Sequence, residues 1–237
     1  MKLVIIGRGN VACSLHAAFA AKNIEVSMFS SREHLDLIPA DSDVCIYAVR
    51  DEALTEVISR VHTNPRTIHI HTSGTMPLTV FGNDKPHAGI FYPFQSFSKA
   101  QPIDDFSNVP ILIEARQIDD LSAIYTIAQT LSHSVFEASQ TEREMVHVAG
   151  VFANNFSNLM CREAEAILRH TSLPFRVLLP LIDETARKLH TLSPADAQTG
   201  PAHRGDTRIM EHHMSLLTEE QRRIYQLLSH EIQNLKS

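Results

Sequence analysis

Three groups of residues in this sequence are of types and at spacings that could do chemistry. The first is Gly7-Arg8-Gly9-Asn10-Val11-Ala12. It follows the β-branched run Leu3-Val4-Ile5-Ile6 and leads into the helix formers Ser14 to Ala21. Strand, tight turn and helix in that order form the setting in which a G-x-G-x-x-G/A pattern holds a dinucleotide. Gly7 allows the sharp turn, and Gly9 lets a pyrophosphate approach the backbone. Ala12 lets the helix pack on its strand. The helix start then offers free N–H groups and a positive dipole end to the phosphates.

The second group is Ser30-Ser31-Arg32, at the end of a strand predicted over residues 24–29. Folds that bind NAD commonly place an acid here for the ribose 2′-OH. Two hydroxyls and a guanidinium suit a 2′-phosphate instead, so the cofactor expected is NADP(H). The other reading has Ser30 and Ser31 capping a short helix over 33–38, with Arg32 in solvent.

The third group is spread over the later chain. Ser73 ends a strand predicted over 67–71. His147, Gly150, Asn154, Asn158 and Cys161 share one face of a predicted helix whose other face is Met145, Val148, Phe152, Phe156, Leu159 and Met160. Between Met145 and Cys161 no residue carries a fixed charge. That pattern predicts burial on both sides, one against core and one against a cleft or a partner subunit. Arg204, after the Gly200-Pro201 turn, could clamp a carboxylate or phosphate, or make a salt bridge across a dimer interface. His69 and His71 share a strand face. No third ligand accompanies them, so packing or a polar contact is expected and no metal.

The elements that must position these groups follow from periodicity. Strands are predicted over 24–29, 43–49 and 67–71, from about 87, over 109–114 and over 134–137. Helices are predicted from Arg50-Asp51-Glu52 to about His62 and over about 117–132. This alternation gives an α/β fold, a Rossmann-type doubly wound and mostly parallel sheet with right-handed crossovers. Gly7, Ser30, Ala48-Val49 and Thr72-Ser73 then all fall at carboxyl ends of strands, where such sheets bind ligands. Arg8, Asn10, Val11, Ala48 and Val49 join the expected cofactor contacts. Ile90-Phe-Tyr-Pro-Phe-Gln-Ser-Phe-Ser98 is expected to form a fixed loop beside that cleft or an ordinary buried loop. From Ser139 strand signals cease and helical periodicity takes over. Domains are therefore expected over 1–138 and 139–237, the second all-helical. Thr141 with Glu144 and Thr218 with Gln221 read as capping boxes, and Asp206 as a cap for a helix from Thr207. Further helices are predicted over about 175–191 and 219–235, the last with the stripe Ile224, Leu227, Leu228, Ile232 and Leu235.

The totals exclude several classes. The 237 residues are 43% hydrophobic and can bury a real core. A net charge of −6 gives no footprint for nucleic acid or an anionic membrane. No apolar run is long enough to span a bilayer, and Arg8 and Asn10 interrupt any signal-peptide pattern. Cys13, Cys45 and Cys161 are odd in number and far apart, as expected of reduced thiols in a cytoplasm.

Four ordered motifs together carry a resemblance over nearly the whole chain. They are Gly7-Arg-Gly-Asn-Val-Ala12, Tyr92-Pro-Phe-Gln-Ser-Phe-Ser98, His147-x-x-Gly-Val-Phe-Ala-Asn-Asn155 and Thr199-Gly-Pro-Ala-His-Arg-Gly-Asp206. The chain resembles a bacterial family in which a Rossmann-like domain precedes a helical domain of unknown function, often described as NADP oxidoreductases. More distantly it is similar to pyrroline-5-carboxylate reductase, deazaflavin-dependent NADP reductases and the 6-phosphogluconate dehydrogenase-like group. The resemblance implies NADP(H) at the first motif. It also implies a helical domain that dimerises and closes the site, hence a homodimer. The β-hydroxyacid dehydrogenases carry Lys-x-x-x-Asn on the corresponding helix. Counting back from Asn154 or Asn155 gives Gly150 or Val151, so that lysine is absent. The proton would then fall to His147, whose ordinary pKa lies near working pH, with Ser73 and Asn155 as further catalytic candidates. Asn154 and Arg204 are the candidate substrate contacts.

The resulting expectation is an NADP-dependent oxidoreductase. It would pass a hydride between nicotinamide and a small carbonyl, imine or alcohol. A non-catalytic NADP(H) sensor or interaction protein, favoured by the missing lysine, and a deazaflavin-coupled reductase are the alternatives.

Overall fold

In a computed structural model, Met1–Leu235 are described. The chain divides into two compact units, the first Met1–Asn154 and the second beginning at Asn155.

The first unit is a seven-stranded sheet in the order β2-β1-β3-β4-β5-β6-β7. Its strands are β1 Leu3–Ile6, β2 Val26–Phe29, β3 Val44–Tyr47, β4 Ile68–His71, β5 Ala88–Pro93, β6 Ile111–Ala115 and β7 Val135–Glu137. β1 pairs in parallel with both β2 and β3, with Ile6 level with Phe29 and Tyr47. β4 and β5 continue the parallel run. β6 is antiparallel to β5, and β7 is parallel to β6. The reversal has a physical cause. A parallel return needs a crossover, usually a helix, and residues 94–110 form none.

Helices cover both faces, so the central strands read as continuous apolar runs. Leu3 and Ile5 join the core beneath α1 (Asn10–Ala21) and α3 (Ile118–Leu131). Val4 and Ile6 join the opposite core beneath α2 (Asp51–Arg60) and the 3-10 turns at Leu35–Leu37 and Leu78–Phe81. The alternation of side chains along a strand sends neighbours to different faces.

The strands end earlier than the first unit does. Ala138 N–H still bonds Ile113 O at 3.0 Å. The next residue, Ser139, is the first free to cap, and it forms a capping box with Glu142. The box expected at Thr141 and Glu144 is therefore displaced two residues, with the same spacing. The helix α4, Gln140–Gly150, buries Arg143 against the sheet and so belongs to the first unit. A π-helical stretch, Val151–Phe156, follows, and the compact units divide inside it.

The second unit is helical: α5 Ser157–Leu168, α6 Leu179–Lys188, α7 Pro194–Ala197, α8 Pro201–Arg204, α9 Thr207–Ser215 and α10 Glu219–Asn234. The helix expected over 175–191 begins as a 3-10 turn at Phe175–Leu178, between Pro174 and Pro180. Thr218 and Gln221 form the predicted capping box on α10. α9 starts at Thr207 as expected, but the Asp206 side chain does not cap it. That carboxylate instead accepts from Arg204 Nε at 3.0 Å. No helix among the described residues is long and apolar enough to cross a membrane.

Candidate functional site

A cavity of about 1100 Å³ opens at the carboxyl ends of β1 to β4, entirely within the first unit. It sits beside the break in strand order between β1 and β3, where doubly wound sheets place ligands. All ten expected cofactor residues line it: Gly7, Arg8, Gly9, Asn10, Val11, Ser30, Ser31, Arg32, Ala48 and Val49. Ser73 and His147 line it too, but Asn154, Asn155 and Arg204 do not. Asn155 and Arg204 belong to the second unit.

The two motif glycines have different reasons. Gly7 sits at φ +133°, and a Cβ there would overlap the Ala48 carbonyl oxygen. It is glycine because β1 and β3 close upon it. Gly9 meets nothing within 4 Å and has an ordinary φ of −82°. Nothing in the chain itself crowds this position. What the missing Cβ leaves is open approach to the start of α1, where no side chain caps the helix. Open backbone N–H groups and the positive end of a helix fit a pyrophosphate.

Asn10 does structural work at this rim. Its Nδ2 donates to Phe97 O at 3.0 Å, and its Oδ1 accepts from Lys99 N at 3.1 Å. Ser14 Oγ accepts from Ile103 N at 3.2 Å. The loop after β5 is thus pinned along α1, with Phe97 stacked on buried Phe106. Of the loop expected over 90–98, the residues up to Pro93 are instead the end of β5, whose ladder with β6 carries them, and only the part from Phe94 is the pinned loop.

The other end of the cavity is built by two interlocking pairs. The Tyr92 hydroxyl and His147 Nδ1 lie 3.1 Å apart. One turn along α4, a Cβ on Gly150 would come within 2.7 Å of the Phe94 ring. A two-residue step at the end of β5 thus meets a three-residue step on α4. Tyr92 also lies over Gly74, where a Cβ would come within 2.7 Å of its ring. Burial, and then the charge of Asp51, push the Tyr92 phenol above its ordinary pKa.

Ser73 reaches the cavity but is heavily used by its own turn. Its Oγ accepts from Thr75 N and Met76 N, each at 3.1 Å. Thr75 Oγ1 in turn donates to Asp51 at 2.8 Å, tying this turn to the start of α2. Behind it, fully buried Arg143 pairs with Glu114 and donates to Met76 O and Ala138 O, each at 3.2 Å. Arg143 therefore fixes α4, and with it His147, to the Ser73 turn.

His69 and His71 are packed on one side of the sheet. His69 Nδ1 meets the Tyr47 hydroxyl at 2.9 Å and its Nε2 meets Thr63 Oγ1 at 3.2 Å. His71 Nδ1 accepts from Ser73 N at 3.2 Å while its ring stacks on Phe81. Burial lowers the pKa of His69 to about 3. Burial, and then Arg143, lower that of His71 to about 4. Both are held neutral.

Sequence reasoning missed Asp51, Thr75, Tyr92, Lys99, Glu56 and Arg60, all of which line the cavity. Tyr92 lay inside a motif already singled out. Arg60 gave no signal, because a basic residue ending a helix is ordinary.

The fold and this cavity define a class: a Rossmann-type, mostly parallel α/β sheet followed by helices. The family model for a domain of unknown function, DUF2520, matches residues 109–232, and the chain belongs to that family. A crystal structure from Bacteroides fragilis, described as a "putative NADP oxidoreductase", is 34% identical, with 98% of each chain covered and a TM-score of 0.90. A Thermotoga maritima protein shares the fold at 17% identity, covering 98% of this chain and 97% of its own, with a TM-score of 0.73. So does a reductive aminase from Aspergillus terreus, solved with NADPH and ethyl levulinate, at 12% identity. There the coverage is 98% of this chain and 92% of that one, with a TM-score of 0.70. No curated protein matches the sequence.

Proposed function

We propose that this protein is an NADP-dependent oxidoreductase acting on a small carbonyl, imine or alcohol. The observation that carries the reading is the cavity itself. It gathers a glycine turn, an uncapped helix start, Ser30-Ser31-Arg32 and the Tyr92–His147 pair onto one surface. When bound, the nicotinamide cofactor supplies or accepts the hydride. The rest is this chain's part. Gly7 and Gly9 shape the turn that takes the pyrophosphate, and Arg32 with the two serines takes the 2′-phosphate. Ala48 and Val49 wall the cleft at the end of β3.

Proton supply falls to Tyr92 and His147. A phenol raised by burial stays protonated at neutral pH and can donate to an oxygen or nitrogen that gains electrons. His147 Nδ1, 3.1 Å from that hydroxyl, is placed to restore the proton. The arrangement replaces the lysine that the helix lacks. Asn154, Asn155 and Arg204 remain candidates for the substrate side.

We also propose that the protein is a homodimer through its helical part. Leu181, Leu216 and Leu227 are each more than 60% exposed in the single chain. Large apolar side chains left in solvent on several helices are what a second copy would bury.

Calorimetric titration with NADPH and NADH, followed by NADPH consumption at 340 nm over a panel of small aldehydes, ketones and cyclic imines, tests the reading. Binding with turnover is the expected result. Binding with no turnover across the panel would leave a sensor, and no binding of either coenzyme would overturn the proposal.

A further inference from the structure

The tip of β2 is met by a side chain from a different crossover. Arg60, the last residue of α2, donates from Nη2 to the carbonyl oxygen of Arg32 at 3.4 Å. Its Nη1 faces Glu56 Oε1, also at 3.4 Å. Arg60, Glu56, Arg32, Ser30 and Ser31 all line the one cavity. Ser30 Oγ meanwhile accepts from Arg32 N at 3.3 Å, which holds this tip in a turn.

A basic residue at a helix end needs no ligand to explain it, because it complements the dipole. An i,i+4 contact with a glutamate is equally common and worth little. Neither accounts for the reach across to Arg32. That contact brings a second arginine to the same cavity wall as Ser30, Ser31 and Arg32, where a doubly charged anion would draw both. Of the two acids lining this cavity, Asp51 accepts from Thr75 and Glu56 is the one paired with Arg60.

We propose that Arg60 is the second arm of the cofactor's 2′-phosphate subsite, and that Glu56 holds this arm until the phosphate takes it over. The inference rests on the nicotinamide-cofactor reading above and adds to it a residue that no turn after β2 would supply. Arg60 changes its ion-pair partner from Glu56 to the phosphate, while Arg32 meets the same phosphate from the strand side. Loss of the carboxylate therefore works in the opposite sense to loss of the guanidinium.

The test is binding of NADPH and NADH, each by calorimetry, to the full chain and to Arg60→Ala, Arg60→Lys and Glu56→Gln. Arg60→Ala should lose about tenfold to a hundredfold in NADPH affinity, the range of a charge-assisted contact, with NADH unchanged. Arg60→Lys should recover part of that loss, since it keeps the charge but not the fork. Glu56→Gln should tighten NADPH several-fold and leave NADH as it was. NADH serves as the control for an intact fold, because it lacks the phosphate but uses the same turn. Equal loss of both coenzymes in Arg60→Ala would show that Arg60 only shapes the Arg32 loop, and would overturn the proposal. So would an unchanged ratio of the two affinities, and in both cases the cofactor reading survives. Failure of the unaltered protein to bind either coenzyme overturns that reading and this inference together.

Discussion

The two units of this chain solve the burial problem differently. The first unit closes both faces of a sheet, and its central strands β1 and β3 are buried at every residue. Its polar groups are gathered where the strands end. In the second unit, among the described residues, Ala202 and Met210 are the hydrophobic residues that count as buried. Its long helices keep large apolar side chains in solvent, including Leu181, Leu189, Leu216 and Leu227. A sheet with helices on both sides completes a core within one chain. Helices with no sheet in their own unit leave part of their apolar stripes unmatched. The cavity thus belongs to the unit that completes its own core, whereas the helical unit leaves large apolar side chains in solvent.

The largest effect that could break this contrast lies at Gly7. Any side chain there meets the Ala48 carbonyl at a positive φ. Gly7→Ala should cost about 3 kcal/mol or more in denaturant unfolding. Gly9→Ala, in open space, should leave stability within about 0.5 kcal/mol and yet weaken dinucleotide binding. Equal destabilisation by the two would dissolve the distinction between a turn glycine and a ligand glycine.

Arg143→Met comes next. It strips Glu114, Met76 and Ala138 of their buried partner and should cost about 3 kcal/mol. It should also blunt any activity that depends on His147, through loss of the α4 anchor. An unchanged melting temperature would place the anchor elsewhere.

Acid sharpens the comparison further, because both neutral histidines lie in the first unit. Their folded pKa values, about 3 for His69 and about 4 for His71, are below the ordinary 6.5. Below pH 6.5 the unfolded chain takes up protons that the folded chain refuses. Stability is therefore full above that pH and falls progressively as pH drops toward 4 and then 3. Urea midpoints at pH 7.5, 6, 5 and 4.5 should decline in that order, and a flat series would contradict the neutral assignment.

On the helical side, Leu216→Asp with Leu227→Asp should change chain stability little but shift the mass in sedimentation from dimer to monomer. A monomeric unaltered protein would remove the need for a second copy. The smallest effect is expected from Tyr92→Phe. Losing a partly exposed hydrogen bond to His147 should cost about 1 kcal/mol or less, while turnover should fall far more than coenzyme affinity.

Much of the fold is legible in the sequence. The Gly7-to-Ala12 run, the helix formers from Ser14 to Ala21 and the shared placement of Gly7, Ser30, Ala48 and Thr72 at strand ends follow from local rules. Turn chemistry and side-chain alternation act within a few residues. Boundaries were less readable. The capping box fell at Ser139 because the β7 ladder ends at Ala138, a fact about pairing with β6 rather than about Ser or Thr. Likewise, the uncharged stretch after Met145 predicts burial. In the single chain, Met145 and Val148 are instead exposed, because that face of α4 has no sheet to lie on.

The sequence alone thus determined the order of elements, the phosphate-type turn and the change from strands to helices near Ser139. Each of these is encoded by neighbours along the chain. Only the tertiary structure decided that Tyr92 meets His147, that Arg143 sits buried behind the Ser73 turn, and that Arg60 reaches the tip of β2. Those pairings join residues from different crossovers. Their distances are set by sheet order and helix packing, which no local pattern of residues records.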